Sequence, residues 1–493
     1  MKKKILKLMS AVLAMTFLVT SFAGCEKNNT EANEIIWYIV GMEAEDTGWI
    51  IDEVKKEIKT KTGVSVDFRM LTSDNYDLTL SSGEEFDIIF APDYLNYWEN
   101  SEKGAFAEIS DEDLKEYAPY IWENGGDSLD APKYKGVRYA IAQMTESALD
   151  RCIVARGDLM EKYGIESISN TEEIEEYLTK VAENEPDMIP FDVKGNNGYS
   201  LLSMFAVDWG WFPVGKNSYA EHVYYNINDP ERKIFIAAEQ PEMLEFTKTM
   251  KRWYDKGFFS KSALSNKISS LDSFKSGRSA LGLVGNPSEC QSTYEELMKD
   301  DRASWKPYFF TRFQTKQSMN VPTGHMAAIS AFSNKKETAL KVLNEMFQNE
   351  KIYRLVHVGV EGKHYEINEN GKLVILDADS KGWMNIGVGN SAFALEKELT
   401  FPGNEELTKQ LKDMRRINYG TRVRVSLEGI REIDLALSEV YDQYTQPRYY
   451  GMIKSTPEKA LAEEVKALKT AGIDTYIESL QNQFDEYMKT LGK

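Results

Sequence analysis

The stretch EIIWYIVGMEAEDTGWIIDEVKKEIKTKTGVSVDFRM (34–70) decides the fold class. Residues 34–40 are an almost unbroken apolar run that Gly41 ends, the pattern of a strand covered on both faces. Between 48 and 63, Ile51, Val54 and Ile58 share one helical face, and Gly63 stands where a left-handed residue closes a helix. In VSVDFRM (64–70), Val64, Val66 and Phe68 alternate, the period of a strand. Beyond it, NYDLTLSSGEE (75–85) reads as a short helix ending near Gly83, and FDIIFA (86–91) as a continuous apolar strand. The order β-α-β-α-β predicts an α/β layer structure with a parallel sheet.

A second unit begins near residue 150. RCIVA (151–155) reads as a strand, and Ser169 with Glu172 has capping-box spacing ahead of a helix carrying Ile174, Leu178 and Val181 on one face. PEMLEFTKTMKRWYDKGFF (241–259) is amphipathic and stops at Gly257; SALGLVG (279–285) and MAAISAF (326–332) read as strands. KKETALKVLNEMFQ (335–348) is helical. Near the C-terminus, Ser455 and Glu458 suggest another capping box with Pro457 in the first turn. Leu461, Val465 and Leu468 then form the apolar face, closed by Gly472. Asp474 is the expected cap of a last helix bearing Ile477, Leu480, Phe484 and Leu491. No internal repeat or low-complexity segment is present.

The beginning of the chain reads as a targeting segment. Lys2, Lys3 and Lys4 precede an apolar run from Leu8 to Ala23, 16 residues long. A membrane span needs about 20, so a secretory signal fits better. FAGC (22–25) resembles the lipobox of bacterial lipoproteins, with Phe22 where Leu is usual. The resemblance implies a signal peptide over 1–24, a diacylglyceryl anchor on Cys25 and a polar tether over 25–33. Removing residues 1–24 leaves 55 Lys+Arg against 78 Asp+Glu, a net charge of −23. That balance argues against nucleic acid as a partner, which needs clustered positive charge. Besides Cys25 only Cys152 and Cys290 then remain, so there is no disulfide framework, and no other apolar run approaches membrane length.

Catalytic motifs are missing. The four histidines, His222, His325, His357 and His364, are not paired at metal-ligand spacing. There is no HExxH, CxxC, GxSxG or Walker loop, and GVGN (387–390) is not a phosphate fingerprint. A carboxylate pair for glycoside hydrolysis is neither excluded nor indicated among 78 acidic residues. No enzyme activity, metal or cofactor is expected.

LTLSSGEEFDIIFAPDYLNYWENSEKGAFAEI (78–109) resembles the extracellular solute-binding proteins of ABC importers, above all the large carbohydrate-associated lipoproteins of Gram-positive bacteria. YKGVRYAIAQMTESA (134–148), VYYNINDPERKIFIAAEQPEMLEFTKTMKRWYDKGFF (223–259), VGVEGKHYEI (358–367) and LKTAGIDTYIESLQNQFDEYM (468–488) are similar to further passages of that family, in the same order. Two departures are Ala142, where Pro is common, and VRVSLEGIREIDLALSEV (423–440), which lacks a usual Phe-Asp element. The resemblance implies a two-lobe periplasmic-binding-protein-like α/β fold with hinge-crossing strands and extra C-terminal helices. Lobe one is then 34–147 plus 288–332, lobe two 148–287 plus 333–400, and 401–493 a helical region packed on lobe two. It further implies a monomeric, non-enzymatic receptor at the outer face of the cell membrane. Such a receptor closes on a carbohydrate, an oligosaccharide by preference, and delivers it to ABC permease subunits. A receptor for a peptide or other polar solute, and a secreted glycoside hydrolase, are the alternatives.

A sugar site needs aromatic faces for the apolar side of the ring and planar polar groups for its hydroxyls. In α/β sheets such sites lie at the carboxyl ends of parallel strands. The loop after 34–40 offers Asp46 and Trp49, and the loop after 86–91 offers Asp93 and Tyr94. Glu146 stands at the crossover, Trp209 and Trp211 in AVDWGWFPVG (206–215), His325 in TGHM (323–326), and Trp383 and Asn390 in GWMNIGVGN (382–390). Competing readings stay open: Asp46 as a helix N-cap, His325 as a core histidine, Trp209 or Trp211 as core. Trp253, at helical spacing from Met250 and Met243, reads as core. Cys152 and Cys290 are placed near the hinge, either as a disulfide or as two separately buried thiols.

Overall fold

Ile35, Trp37 and Ile39 of the strand Glu34–Met42 enter one buried apolar cluster, while Tyr38 and Val40 enter another on the opposite face. The strand therefore lies in the middle of a layer covered on both sides, which explains its unbroken apolar run. The computed structural model describes residues 34–491 apart from 73, 83, 146–151, 196–197, 216–221, 312–317, 321, 414, 421–422 and 424. The signal and tether expectations, including Cys25, lie outside the described residues, as does Glu146.

The opening strand runs parallel to Ser65–Leu71, with Glu34 opposite Ser65 and Val40 opposite Leu71, and parallel to Ile88–Phe90. Between the first two strands the helix Thr47–Thr62 buries Ile50, Val54 and Ile58. Each contributes about 1.5–3 kcal/mol by leaving water. Gly63 ends the helix at φ 73°, its N–H donating to Lys59 O. The sheet is mixed rather than wholly parallel. Met326–Ile329 pairs antiparallel with both Ile88–Phe90 and Ala140–Ala142, and Trp383–Asn385 pairs antiparallel with the end of the opening strand.

The second lobe is built on a four-stranded sheet in the order Tyr308–Thr311, Cys152–Ala155, Ser279–Val284, Ile189–Phe191. Its faces separate cleanly. Ile153, Leu281 and Leu283 join the large core, while Cys152, Val154, Val284 and Phe309 join a smaller one with Cys290 and Phe401. A three-stranded antiparallel sheet, Trp211–Pro213, Val223–Asn226 and Ile234–Ile236, carries the C-terminal helices Pro457–Ala471 and Ile473–Thr490. There the Tyr225 and Phe484 rings meet at 4.9 Å, and Gln481 Oε1 accepts the Ile234 N–H at 2.8 Å. Trp253 is fully buried in the large core.

Two assignments of chain to lobe are corrected. The helices Lys336–Gln348 and Glu350–His357, expected in lobe two, bury Leu340, Leu343, Phe347 and Ile352 with Trp37, Ile50 and Val54 of lobe one. Trp383–Asn385 adds a strand to that same sheet, so most of 333–393 belongs to lobe one. Conversely, the helix Pro287–Leu297 and the strand Tyr308–Thr311, expected in lobe one, belong to lobe two, where the strand pairs with Cys152–Ala155. An amphipathic period shows that a face is buried and not which sheet buries it.

Three helix starts also shift. Asn170, not Ser169, caps Thr171–Asn184 by accepting the Glu173 N–H. Thr456, not Ser455, caps Pro457–Ala471. Gly472 precedes the last helix, leaving Asp474 inside its first turn. On the buried seam of Pro457–Ala471, Glu464 replaces the expected Val465 and pairs with the equally buried Arg448.

Candidate functional site

Four strands of lobe one run the same way and end at Met42, Leu71, Phe90 and Ala142, and the two antiparallel strands begin at the same edge. Met42 pairs with Trp383, and Ala142 with Met326. Loops leaving and entering this edge carry most of the residues singled out in the sequence. Trp49, Tyr94 and Trp383 keep 43%, 56% and 44% of their surface in water, and Met42 keeps 62%. Large apolar side chains left open on one edge mark a surface that binds something. Alternation along Trp383–Asn385 explains the exposure: Met384 points into the core, so Trp383 and Asn385 share the other face.

Asp46 occupies the N-cap position of Thr47–Thr62, yet its side chain does not cap the helix. Lys363 Nζ lies 2.5 Å from its Oδ2 and His364 Nε2 lies 3.2 Å from it. The Val360 N–H donates to His364 Nδ1 at 3.0 Å, which leaves the proton on Nε2 to donate to Asp46. The Lys363 hydrogen bond holds the Asp46 carboxyl below its usual range against the opposing effect of burial. Lys363 also lies 5.5 Å from the centre of the Trp49 ring and steadies it. Asp93 is buried and accepts the Thr323 hydroxyl. Asn390 is buried too: its Oδ1 accepts the Ala392 N–H and its Nδ2 donates to Tyr120 Oη at 2.8 Å. Asp46, Asp93 and Asn390 thus shape the edge from behind, whereas Trp49, Tyr94 and Trp383 face water.

His325 presents an open ring 6.1 Å from Phe90, which in turn lies 6.4 Å from Tyr94. Crowding by protein pushes its pKa down, while a hydrogen bond with Asn385 and the charge of Asp93 act the other way. Close by, the rings of Tyr353 and His357 lie 4.2 Å apart, tilted by 35°. Desolvation, with Lys381 and His325 adding to it, lowers His357 to about 4.

The sequence reading does not single out Gln143, Tyr353, His357 or Asn385. The signal for them is the alternation Gly387, Gly389 in GVGN: both have positive φ, and a side chain at Gly387 would meet the Met326 carbonyl.

The structure places the two lobe-two tryptophans differently from the lobe-one aromatics. Trp211 is 3% exposed in the large core, with Tyr224 and Phe235 around it, so it is not a ligand contact. Its strand pairs with Asn226 and faces the centre of the lobe, a placement that the unusual Trp-Gly-Trp spacing does not reveal. Trp209 is half-buried, 4.8 Å from Trp211 edge-on. A hollow of about 420 Å³ on the helices Thr171–Asn184 and Pro241–Asp255, lined by Glu175, Arg252 and Lys256, shares no residue with the edge. Among the described residues no cluster of His, Cys, Asp or Glu is arranged for a metal ion, and no helix is long and apolar enough to cross a membrane.

Residues 432–489 match a family described as a domain of unknown function, DUF3502. None of the curated proteins matches the chain. Among solved structures, the N-glycan transport solute binding protein NgtS of Streptococcus pneumoniae is similar at 20% identity, with 92% of this chain and 99% of that one covered and a TM-score of 0.75. The same protein in complex with Man1GlcNAc gives a TM-score of 0.65 at the same identity and coverage. The ABC-transporter substrate binding protein FusA of S. pneumoniae in complex with kestose is 14% identical over 92% of this chain and 99% of that one, with a TM-score of 0.59. The chain therefore has the two-lobe fold of ABC-transporter solute-binding proteins, with additional helices at its C-terminus.

Proposed function

We propose that the protein is the extracellular receptor of an ABC importer, holding a carbohydrate between its lobes and presenting it to a membrane permease. The observation that carries this reading is the open aromatic edge of lobe one, where Trp49, Tyr94 and Trp383 stand exposed at the strand ends. Aromatic faces of that kind match the apolar side of a sugar ring, and carbohydrate complexes of NgtS and FusA share the fold. The same reading makes the molecule a monomer without catalytic function: Asp46 and Asp93, the buried carboxylates of the edge, are engaged by Lys363 and Thr323. It also makes Cys25 the acylated N-terminus of the mature chain, with residues 25–33 as the tether to the outer face of the membrane.

The mechanism is capture by closure. Described residues that follow one another along the chain lie in different lobes at Met144 and Cys152, at Thr311 and Met326, and at Phe393 and Phe401, and closure turns the lobes about these passages. A ligand touching both lobes stabilises the closed arrangement, and the permease reads that state. A thermal-shift panel of mono- and oligosaccharides tests the proposal. A ligand at 100 times its Kd adds about 2.7 kcal/mol of stability. A panel that leaves the melting temperature unmoved, or an oligosaccharide that is hydrolysed, overturns it.

A further inference from the structure

Beside the aromatic edge, several polar side chains converge on the backbone of Gly389. A β-carbon there would stand 3.1 Å from His357 Nε2, 3.5 Å from Gln143 Nε2 and 3.6 Å from the Tyr353 ring. Gly389 has φ 148°, a conformation other residues rarely adopt, so the backbone favours glycine, and a side chain there would also press on the His357 ring. The Gln143 N–H donates to His325 O at 2.9 Å, which places the two side chains on neighbouring strands of the same edge.

We propose that Gln143, His325 and His357 form a subsite for one uncharged, hydroxyl-bearing ring of the ligand, with the Gly389 backbone as its floor. The proposal rests on the carbohydrate reading above and names the class of sugar. Among the described residues, the His357 ring nitrogens and the Gln143 amide have no hydrogen-bond partner, although they converge within 3.5 Å of one point. Water reaches the His325 and His357 rings. Tyr353 holds the His357 ring from one side, so its nitrogens are aimed before the ligand arrives.

The charge of this corner favours a neutral ring. Lys381 Nζ donates to Val356 O at the end of the helix Glu350–His357, so the ammonium whose charge His357 senses is turned toward that helix end. Asp93, the carboxylate whose charge His325 senses, already accepts the Thr323 hydroxyl. His357 is a neutral imidazole at physiological pH. What the three side chains offer is a neutral amide and neutral imidazoles, each able to donate and to accept, which matches hydroxyl groups better than it matches a carboxylate. A site built for hydroxyls discriminates strongly against a ligand lacking them, because its own polar groups are then left unpaired.

The test uses the mature protein and titration calorimetry with neutral manno-, malto- and fructo-oligosaccharides. Oligomannuronates of matching length are the anionic probes. The neutral sugars are expected to bind, with the acidic ones at least about tenfold weaker. His357→Phe keeps a ring against Tyr353 but removes its nitrogens, and Gln143→Met keeps the volume but removes the amide. Each should weaken the best neutral ligand about tenfold or more with an unchanged melting temperature. Lys256→Ala, on the remote hollow, should bind as the parent does. Tighter binding of the mannuronates, or parental affinity in both site variants, overturns the subsite and leaves the carbohydrate receptor standing. Failure of every sugar to bind removes the carbohydrate reading and the subsite with it.

Discussion

Met42 and Trp383 face each other across the last rung of the lobe-one sheet, and both are open to water. A cross-strand pair of this size normally lies against a core, because burying it releases apolar surface from water. Left open at the carboxyl edge that also carries the exposed Trp49 and Tyr94, it is part of the platform proposed above for the sugar. Trp383→Ala and Trp49→Ala should each weaken sugar binding by about 1–3 kcal/mol, a fall of roughly 5- to 150-fold, with little change in melting temperature. Trp211→Ala should instead destabilise the fold by about 3–5 kcal/mol, because its ring fills the core of lobe two. Calorimetric titration alongside urea unfolding separates the two classes; stable, tight-binding Trp49 and Trp383 variants would falsify the platform.

Arg448 and Glu464 form an ion pair with side chains 1% and 2% exposed, fixing the C-terminal helices to lobe two. Thr445 Oγ1 donates to Glu464 Oε1 at 2.8 Å, and Arg448 Nη1 donates to Thr247 Oγ1 at 3.3 Å on the helix Pro241–Asp255. Removing one partner leaves the other charge buried and unpaired, so Arg448→Met should cost about 3–5 kcal/mol in urea unfolding. The double variant Arg448→Met, Glu464→Leu should recover most of that loss, since no charge is then stranded. A double variant as unstable as the single one contradicts this account.

Much of lobe one is legible in the sequence because its signals are local. The apolar run at 34–40, the helical face of Val54 and Ile58, and Gly63 at positive φ each depend on a few consecutive residues; the fully buried partner on that face is Ile50, while the expected Ile51 is half-buried beside it. Lobe membership is not local. The helix Lys336–Gln348 shows its apolar stripe in the sequence, but only the fold shows that the stripe meets Trp37 and Ile50. The site divides in the same way. Trp49, Tyr94 and Trp383 are legible as aromatics in loops at strand ends, whereas His357 lies on a helix and Gln143 just past a short strand, and neither carries a motif. Trp211 fails for the opposite reason: aromatic density in a loop marks a core as readily as a site.

Glu175 gives lobe two a pH-dependent tie. Burial raises its pKa, but hydrogen bonds from Arg252, Lys256 and Trp253 outweigh that and hold it at about 2. A carboxylate depressed in the folded state contributes stability above its unfolded pKa, near 4.5, and loses it as pH falls toward 2. The contribution is on the order of 1 kcal/mol, because Arg252 and Lys256 are half-exposed and screened. Melting temperatures of the parent should therefore fall more steeply between pH 4.5 and 2 than those of Glu175→Gln. Parallel curves over that window rule the tie out.

The anchor depends on one atom. If Cys25 carries the lipid, Cys25→Ala should appear in the culture medium or remain as the uncleaved precursor, because one signal segment cut elsewhere leaves no acyl chain. Fractionation with an antibody distinguishes these outcomes from the parent. Membrane retention equal to the parent's, with normal processing, removes the acylation from the proposal.

Cys152 and Cys290 are both free and fully buried, one on a strand of the lobe-two sheet and one on the helix Pro287–Leu297. Their side chains meet in the smaller core with Phe309 and Phe401. The contact with Cys152, reinforced by burial, pushes the Cys290 thiol well above its usual pKa. A thiolate is the species that attacks an oxidant or a disulfide, so the Cys290 thiol is held unreactive, and burial in the same core keeps reagents from both sulfurs. The strand Cys152–Ala155 and the helix Pro287–Leu297 are thus not stapled to each other. Protein lacking residues 1–25 should show no reactive thiol when native and two in denaturant without reductant. Fewer than two means that the pair oxidises after all. The bond would then close a loop of more than 100 residues and stabilise the fold by about 4–5 kcal/mol, which unfolding with and without reductant would reveal.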